Sequence, residues 1–288
     1  MALSGRPPSR LPRTATDSRV ESITITATET ETMATASAAS TNSTETLRGR
    51  EFEPRRHVVI GLGGIGHHVL RLLAQFLHSR KRRLTILAVD GDTFEPGNKT
   101  RMQFRSYGPK ARVLVEEVGE DYGDVLTLLP VEDYVTPENI ASVVGPGDVV
   151  LCQPDNHMTR RLVEQRCAEL DDVVLFSGGN DGVEDGNTGT YGNVQVYLRA
   201  GGIDLTNPIS RFHPEIAQPA DKLPTDKGCA EQQASAPQLL FTNLAVASAM
   251  LAAYFAWTER RLAYEEVYLD ILPASMVAVS RKTAARAA

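Results

Sequence analysis

The sequence predicts a doubly wound α/β sheet, mostly parallel, with an antiparallel extension. Three observations point there. An apolar run, His57 to Ile60, enters a glycine-rich turn, Gly61 to Gly66, that opens an amphipathic stretch. A second apolar run, 84–89, follows and ends on Asp90. Beyond it, short apolar runs keep alternating with helical periods until two late strand-like segments close the pattern.

Each element has its own reason. HVVI at 57–60 is short, β-branched and continuous, as a strand buried on both faces should be. From Ile65 to about Arg80 the residues Val69, Leu70, Leu73, Phe76 and Leu77 recur at helical spacing, and the basic run 80–83 suits a helix C-terminus. Strand, glycine turn, helix and strand together form a parallel unit. Further strands are expected at 125–131, 148–152, 173–176 and 193–198, with helices at 139–144, 158–170 and 237–257. Segments 264–271 and 276–279 read as the late strands. Segments 178–192 and 201–228, rich in Gly, Asp and Pro, read as long loops.

Composition narrows the function classes. The chain has 288 residues and a net charge of −6, which argues against a general nucleic-acid binder. Its three cysteines, Cys152, Cys167 and Cys229, form no CxxC pair, so a disulfide scaffold and a four-cysteine zinc site are both excluded. A sparse, odd count fits a reducing, cytoplasmic setting. Residues 1–50 are dominated by Ser, Thr, Ala, Glu and Arg and lack large apolar side chains, so a disordered segment is expected, with the folded domain over 51–288. The Arg- and Ser-rich start is slightly like a transit peptide, and Met33 is an alternative start. The stretch 237–257 is long enough to span a bilayer. Gln238, Asn243 and Ser248 interrupt it, so a core or dimer-interface helix is the reading, not a membrane segment.

Gly61, Gly63 and Gly66 match GxGxxG in the required setting, after a strand and opening a helix. Glycine lets the backbone approach phosphate, and the helix N-terminus supplies N–H groups and a positive dipole end. Asp90 stands where an acidic side chain grips ribose hydroxyls. This Rossmann-like pattern alone leaves NAD, FAD and ATP open.

The residues that follow separate them. Asp90 and Asp92 form a DxD pair; Asn98 lies eight residues after Asp90, Arg101 eleven after it, and Lys110 later, after Tyr107-Gly-Pro. Downstream come Asp155-Asn156 at a strand end with Arg160 five residues after the Asp, then Gly192-Asn-Val-Gln195-Val, then Gly228-Cys229 ahead of a helix of small and apolar residues. In this order the residues resemble the ThiF/MoeB/HesA family, adenylating enzymes related to ubiquitin-activating enzyme. The resemblance covers roughly 56–257. It implies ATP over the glycine loop, with Gly61, Gly63, Gly64 and Gly66 at the phosphates and Asp90 on the ribose with Asp92 nearby. Asn98, Arg101 and Lys110 would then contact the triphosphate, and Asp155, beside Asn156, would hold Mg²⁺. Cys229 stands where some relatives carry a thioester or persulfide.

The implied activity is adenylation of a carboxylate, typically the C-terminus of a ubiquitin-like or sulfur-carrier protein, by a homodimer. The sequence departs from the family in four places. Its zinc-binding CxxC pairs are missing, so no structural zinc is expected. No RYxRQ-like segment precedes Arg55. Met102 stands where the family usually has Gln, with Gln103 one place later, and Lys110 follows Arg101 more closely than usual. A non-catalytic partner subunit of the same family and an NAD-dependent oxidoreductase are the alternatives. The latter leaves Asn98, Arg101 and Asp155 without roles.

Overall fold

The computed structural model describes residues 52–183, 186–226 and 238–280. The segment 1–50 and Cys229 lie outside these described residues. The elements run in chain order as β1 (Arg56–Ile60), α1 (Gly66–Ser79), β2 (Thr85–Val89), β3 (Thr93–Phe94), β4 (Gly108–Pro109), α2 (Lys110–Tyr122), β5 (Thr127–Val131) and α3 (Ile140–Val143). They continue with β6 (Asp148–Cys152), α4 (His157–Ala168), β7 (Val173–Asn180), β8 (Tyr191–Ala200), β9 (Ile203–Asp204), α5 (Pro214–Ala217), α6 (Leu240–Thr258), β10 (Glu266–Asp270) and β11 (Ser275–Val279).

The main sheet has the order β11-β10-β8-β7-β6-β1-β2-β5, with β9 on β8. Strands β5, β2, β1, β6 and β7 are parallel, whereas β8, β10 and β11 add on antiparallel. The expected fold class therefore holds. Both faces of β2, β1, β6 and β7 are buried, which is why they read as unbroken apolar runs, whereas β5 lies at the sheet edge and is partly exposed. Val59, Ile86, Ala88, Val149 and Leu151 pack under α1, α2 and α6. Val58, Ile60, Leu87, Val89, Val150 and Cys152 pack under α3 and α4.

Three differences from the sequence reading have physical causes. No element was expected at 110–122, yet α2 forms there, burying Ala111, Val113, Leu114, Val115 and Val118 at helical spacing. The segment 178–192 is not all loop: β7 continues to Asn180 and β8 begins at Tyr191. Gly178, Gly179 and Gly192 lie within these strands, where neighbouring side chains take the space a Cβ would need. A Cβ on Gly178 would lie 2.2 Å from Met250 Sδ, and one on Gly192 would lie 2.4 Å from Val246 Cγ2. The segment 201–226 contains β9, α5 and single turns of 3₁₀ helix at Ile209–Arg211 and Pro224–Asp226.

Helix α6 is apolar enough to cross a membrane by length and composition, with a mean hydropathy of 1.5. It instead lies on β7, β8 and α1, burying Val246, Ala247, Met250, Ala253 and Tyr254. It is a core helix, as its sequence interruptions suggested.

Candidate active site

The carboxyl ends of the five parallel strands and the start of β8 share one edge of the sheet. Chain order runs outward from β1 to β2 and β5 on one side, and from β6 to β7 on the other. An open α/β sheet binds ligands where the order diverges in this way. A cleft of about 1380 Å³ opens there. That exceeds the roughly 300–1,000 Å³ of a single small-molecule pocket.

The glycine turn forms its floor. Gly61 has φ +85°, and a Cβ on it would lie 2.9 Å from Pro154 N. A Cβ on Gly66 would lie 1.8 Å from the Gly61 carbonyl oxygen, so only glycine lets the helix start this close to the strand. Gly63 is different: the nearest atom to a Cβ there is Met102 Cε at 4.0 Å. Its α-carbon faces the cleft, leaving room for a phosphate to approach the backbone. Met102 is buried in the core beside this turn, while Gln103 is exposed. A buried position explains an apolar residue there. His67 Nδ1 donates to the Gly63 carbonyl at 2.8 Å and ties the turn to α1.

Asp90 joins two segments. Its Oδ2 accepts from Leu62 N at 2.6 Å, and its Oδ1 accepts from Asp92 N at 2.8 Å. Burial pushes its carboxyl up to about 6, against the opposing pull of the Lys110 charge. Lys110 opens α2 and is buried; its Nζ lies 2.7 Å from Asp92 Oδ2 and 3.9 Å from Asp90 Oδ1. The Tyr134 hydroxyl donates to the other Asp92 oxygen. Lys110 thus stands over the Asp90–Asp92 pair. Asn98 caps the start of the turn Pro96–Thr100 by accepting from Glu95 N at 2.9 Å, and Arg101 follows the turn into the cleft wall.

Across the glycine turn, Asp155 is exposed in the cleft at the end of β6. Asn156 lines the same space and caps α4, its Oδ1 accepting from Thr159 N at 2.8 Å. Arg160 is buried and bonds to carbonyls, with Nη2 at 3.0 Å from Pro154 O and 2.8 Å from Gly178 O. It braces the backbone on which Asp155 sits. Cys152 and Cys167 are buried, and burial pushes the Cys152 thiol up to about 12.

Gly61, Gly63, Gly64, Asp90, Asp92, Asn98, Arg101, Lys110, Asp155 and Asn156 all line this one cleft. Gly66 sits directly behind it, against Gly61. Lining residues that the sequence did not single out include Tyr134, Asp181, Glu215 and Asp221, with Glu95 and Asp133 near the Asp90–Asp92 pair. Tyr134 follows β5, and a position just past a parallel strand was the signal available for it. Asp181, Glu215 and Asp221 are brought in by the antiparallel turn and by the segment after β9.

The ThiF family model matches residues 43–276. The chain belongs to the ThiF family. Among curated proteins, none matches the chain significantly in sequence. The ThiF fold seen here is similar to that of E. coli MccB crystallised with selenomethionine MccA, with a TM-score of 0.58 at 14% identity over 85% of this chain and 68% of that one. E. coli MccB with ATP gives a TM-score of 0.54 at 14% identity over 83% and 66%. PaaA gives 0.54 at 13% identity over 91% and 76%. The chain spans about two thirds of the MccB length.

The buried histidines of this ThiF domain predict a fold that loses stability in acid. His57 is pushed down to about 3, first by burial and then by the Arg82 charge. His67 is pushed down to about 3, first by burial, with His68 and Arg71 adding. Both stay neutral in the folded chain, while the unfolded chain protonates them as pH falls through ~6.5. Their contribution is therefore complete above pH ~6.5 and is lost on acidification toward 3. Asp90 acts oppositely: its raised folded value lets the folded state hold a proton below about 6 that the unfolded chain holds only below ~3.9. One proton's worth of acid destabilisation remains near pH 5. Urea unfolding should show stability lower by ~2–3 kcal/mol at pH 5 than at pH 7. Equal midpoints at the two pH values would show that these histidines are not held neutral.

Proposed function

We propose that the chain is an ATP-dependent adenylyltransferase acting on the C-terminal carboxylate of a ubiquitin-like or sulfur-carrier protein or of a peptide. The observation that carries this is the meeting, around one cleft, of the glycine turn, the Asp90–Asp92 pair, Asn98, Arg101, Lys110 and Asp155. An NAD-dependent oxidoreductase would give the last four no task.

The residues fit the reaction. The glycine turn takes the phosphates, with Gly63 offering the open backbone face. Asp90 offers its remaining lone pairs to the ribose hydroxyls. The substrate carboxylate is already ionised at neutral pH, so it needs neither a protein base nor a protein nucleophile. Its oxygen attacks the α-phosphorus, the bond from that phosphorus to the bridging oxygen breaks, and pyrophosphate leaves with the electron pair. Arg101 and Lys110 are placed to offset the negative charge that builds on the phosphates during this exchange.

Mg²⁺ fits at Asp155. Among the described residues no three His, Cys, Asp or Glu side chains converge on a metal. Mg²⁺, however, commonly takes one or two carboxylates and completes its shell with phosphate and water oxygens. When bound there, it would draw charge from the phosphate oxygens. Asp155 would hold it at the end of β6, facing the glycine turn.

A second copy of the chain is the proposed partner on the outer face of α6. Phe241, Leu244 and Phe255 are exposed along one stripe of that helix, and Phe76 of α1 lies against Phe255 with ring centroids 5.9 Å apart. Sedimentation velocity at micromolar concentration should show a dimer, and Leu244→Glu should shift it to monomer. A wild-type chain that stays monomeric would remove this interface.

Calorimetric titration tests the nucleotide. Mg-ATP should bind and NAD⁺ should not, and pyrophosphate exchange into ATP should then depend on an added carboxylate. NAD⁺ binding without ATP binding would overturn the adenylation reading. ATP binding without exchange on any carboxyl-terminal tail would favour a nucleotide-binding partner subunit.

A further inference from the structure

Gly64 is the glycine of the turn that the GxGxxG spacing does not ask for. It lines the nucleotide cleft, and its backbone is not in the left-handed region, so no torsion requires glycine there. What excludes a side chain is the start of α6. A Cβ on Gly64 would lie 2.2 Å from Asn243 Nδ2 and 2.8 Å from Asn243 Cγ, with Gln238 Oε1 at 2.7 Å. The Asn243 amide is therefore pressed against the back of the turn, while Gly64 borders the cleft on its other side.

Asn243 is costly where it stands. It is 0% exposed, and neither its Nδ2 nor its Oδ1 has a hydrogen-bond partner among the described residues. The other buried polar side chains of α6 are paired. Thr242 Oγ1 donates to Gly189 O at 2.6 Å, and the Tyr254 hydroxyl meets His57 Nε2 at 2.9 Å. A buried amide with both ends unmet has lost its water without replacing it, so a Leu of similar volume would serve the free fold better. The turn it faces is also unfinished: the N–H groups of Gly63, Gly64 and Ile65 donate to no backbone acceptor among the described residues.

We propose that Asn243 is a positioning residue for the nucleotide. When phosphate draws the N–H groups of 63–65 toward the cleft, the peptide groups at Gly64 turn to meet the Asn243 amide, and its two ends pair with them. The inference rests on the reading that the phosphates lie over the glycine turn. Asn243 is not part of the cleft wall and acts through Gly64. The free chain carries the unmet amide and binding relieves it, so the amide adds to affinity what it takes from stability.

The test compares the full wild-type chain with Asn243→Leu, by urea unfolding without nucleotide and by calorimetric titration with Mg-ATP. The two readouts should move in opposite directions. The urea midpoint should stay or rise, because an apolar group replaces an unmet amide. The Kd for Mg-ATP should rise about tenfold, the size expected for two neutral hydrogen bonds made only on binding. A merely structural Asn would instead lower the midpoint and leave the Kd alone. If Asn243→Leu does not fold, Asn243→Ala, which cannot overpack the site, decides by its Kd and should show the same loss. A lower midpoint in a folded Asn243→Leu, or Mg-ATP binding within about twofold of wild type in either variant, would overturn the proposal. A wild-type chain that fails to bind Mg-ATP removes the adenylation reading together with this inference. A wild type that binds it no more tightly than the variants removes this inference alone.

Discussion

Gly66→Ala should abolish Mg-ATP binding. The new methyl would lie 1.8 Å from the Gly61 carbonyl oxygen and 2.8 Å from Gln153 Nε2, and the first of these is backbone that cannot rotate away. Either α1 withdraws from the turn or the turn deforms, and both move the phosphate-facing N–H groups. A loss beyond 100-fold in Kd is expected, with ~2–4 kcal/mol of stability lost to overpacking. Gly63→Ala provides the contrast. Its methyl meets only Met102 Cε, at 4.0 Å, so the fold should tolerate it. The methyl would nonetheless occupy the approach to the phosphates, and ATP affinity should fall without a matching fall in the urea midpoint. If Gly66→Ala bound ATP within a few-fold of wild type, the phosphates would have to lie elsewhere.

The second large effect is expected at Arg101. Arg101→Ala should weaken Mg-ATP binding by ~1.5–3 kcal/mol, about 10- to 150-fold, as for loss of a charge-assisted contact. Pyrophosphate exchange should fall further, by roughly 10²–10³ in rate, because an Arg at the phosphates acts most strongly on charge that develops during the reaction. Arg101→Lys should recover part of the binding and less of the rate, since an ammonium lacks the planar fork. Titration and exchange on the same preparations separate the two losses. Unchanged exchange in Arg101→Ala would give Arg101 no part in the chemistry.

Lys110 shows what motif spacing can and cannot convey. Its position after Arg101 placed it near the nucleotide. Only the structure shows Nζ set against Asp92 at 2.7 Å, because α2 starts beside the loop that follows β2. Asn98 is similar: its spacing from Asp90 marked it, and its side chain turns out to cap the start of the Pro96–Thr100 turn as well as line the cleft. The helix α2 escaped the sequence reading although its apolar spacing is regular. Charged residues and Gly119 sit within it, and its start carries the Lys that was read as part of a motif.

What the sequence determined by itself is local. The glycine turn, the unbroken apolar strands, the Asp at the end of β2 and the amphipathic α1 follow from turn chemistry and from periods of two and 3.6 residues, which act over a few neighbours. These carried the fold class and the nucleotide half of the cleft. The other side of the cleft was decided by the tertiary structure. Asp155, Asp181, Gln195, Glu215 and Asp221 come from four separate segments of the chain, and no period links them. They meet because β8 turns back antiparallel on β7. They also meet because the chain past β9 folds onto α4, where Asp221 accepts from His157 N at 2.6 Å and Met158 N at 2.9 Å. Strand neighbours and loop docking are set by which faces can be buried together across the whole chain, and that information is not present in any one stretch of it.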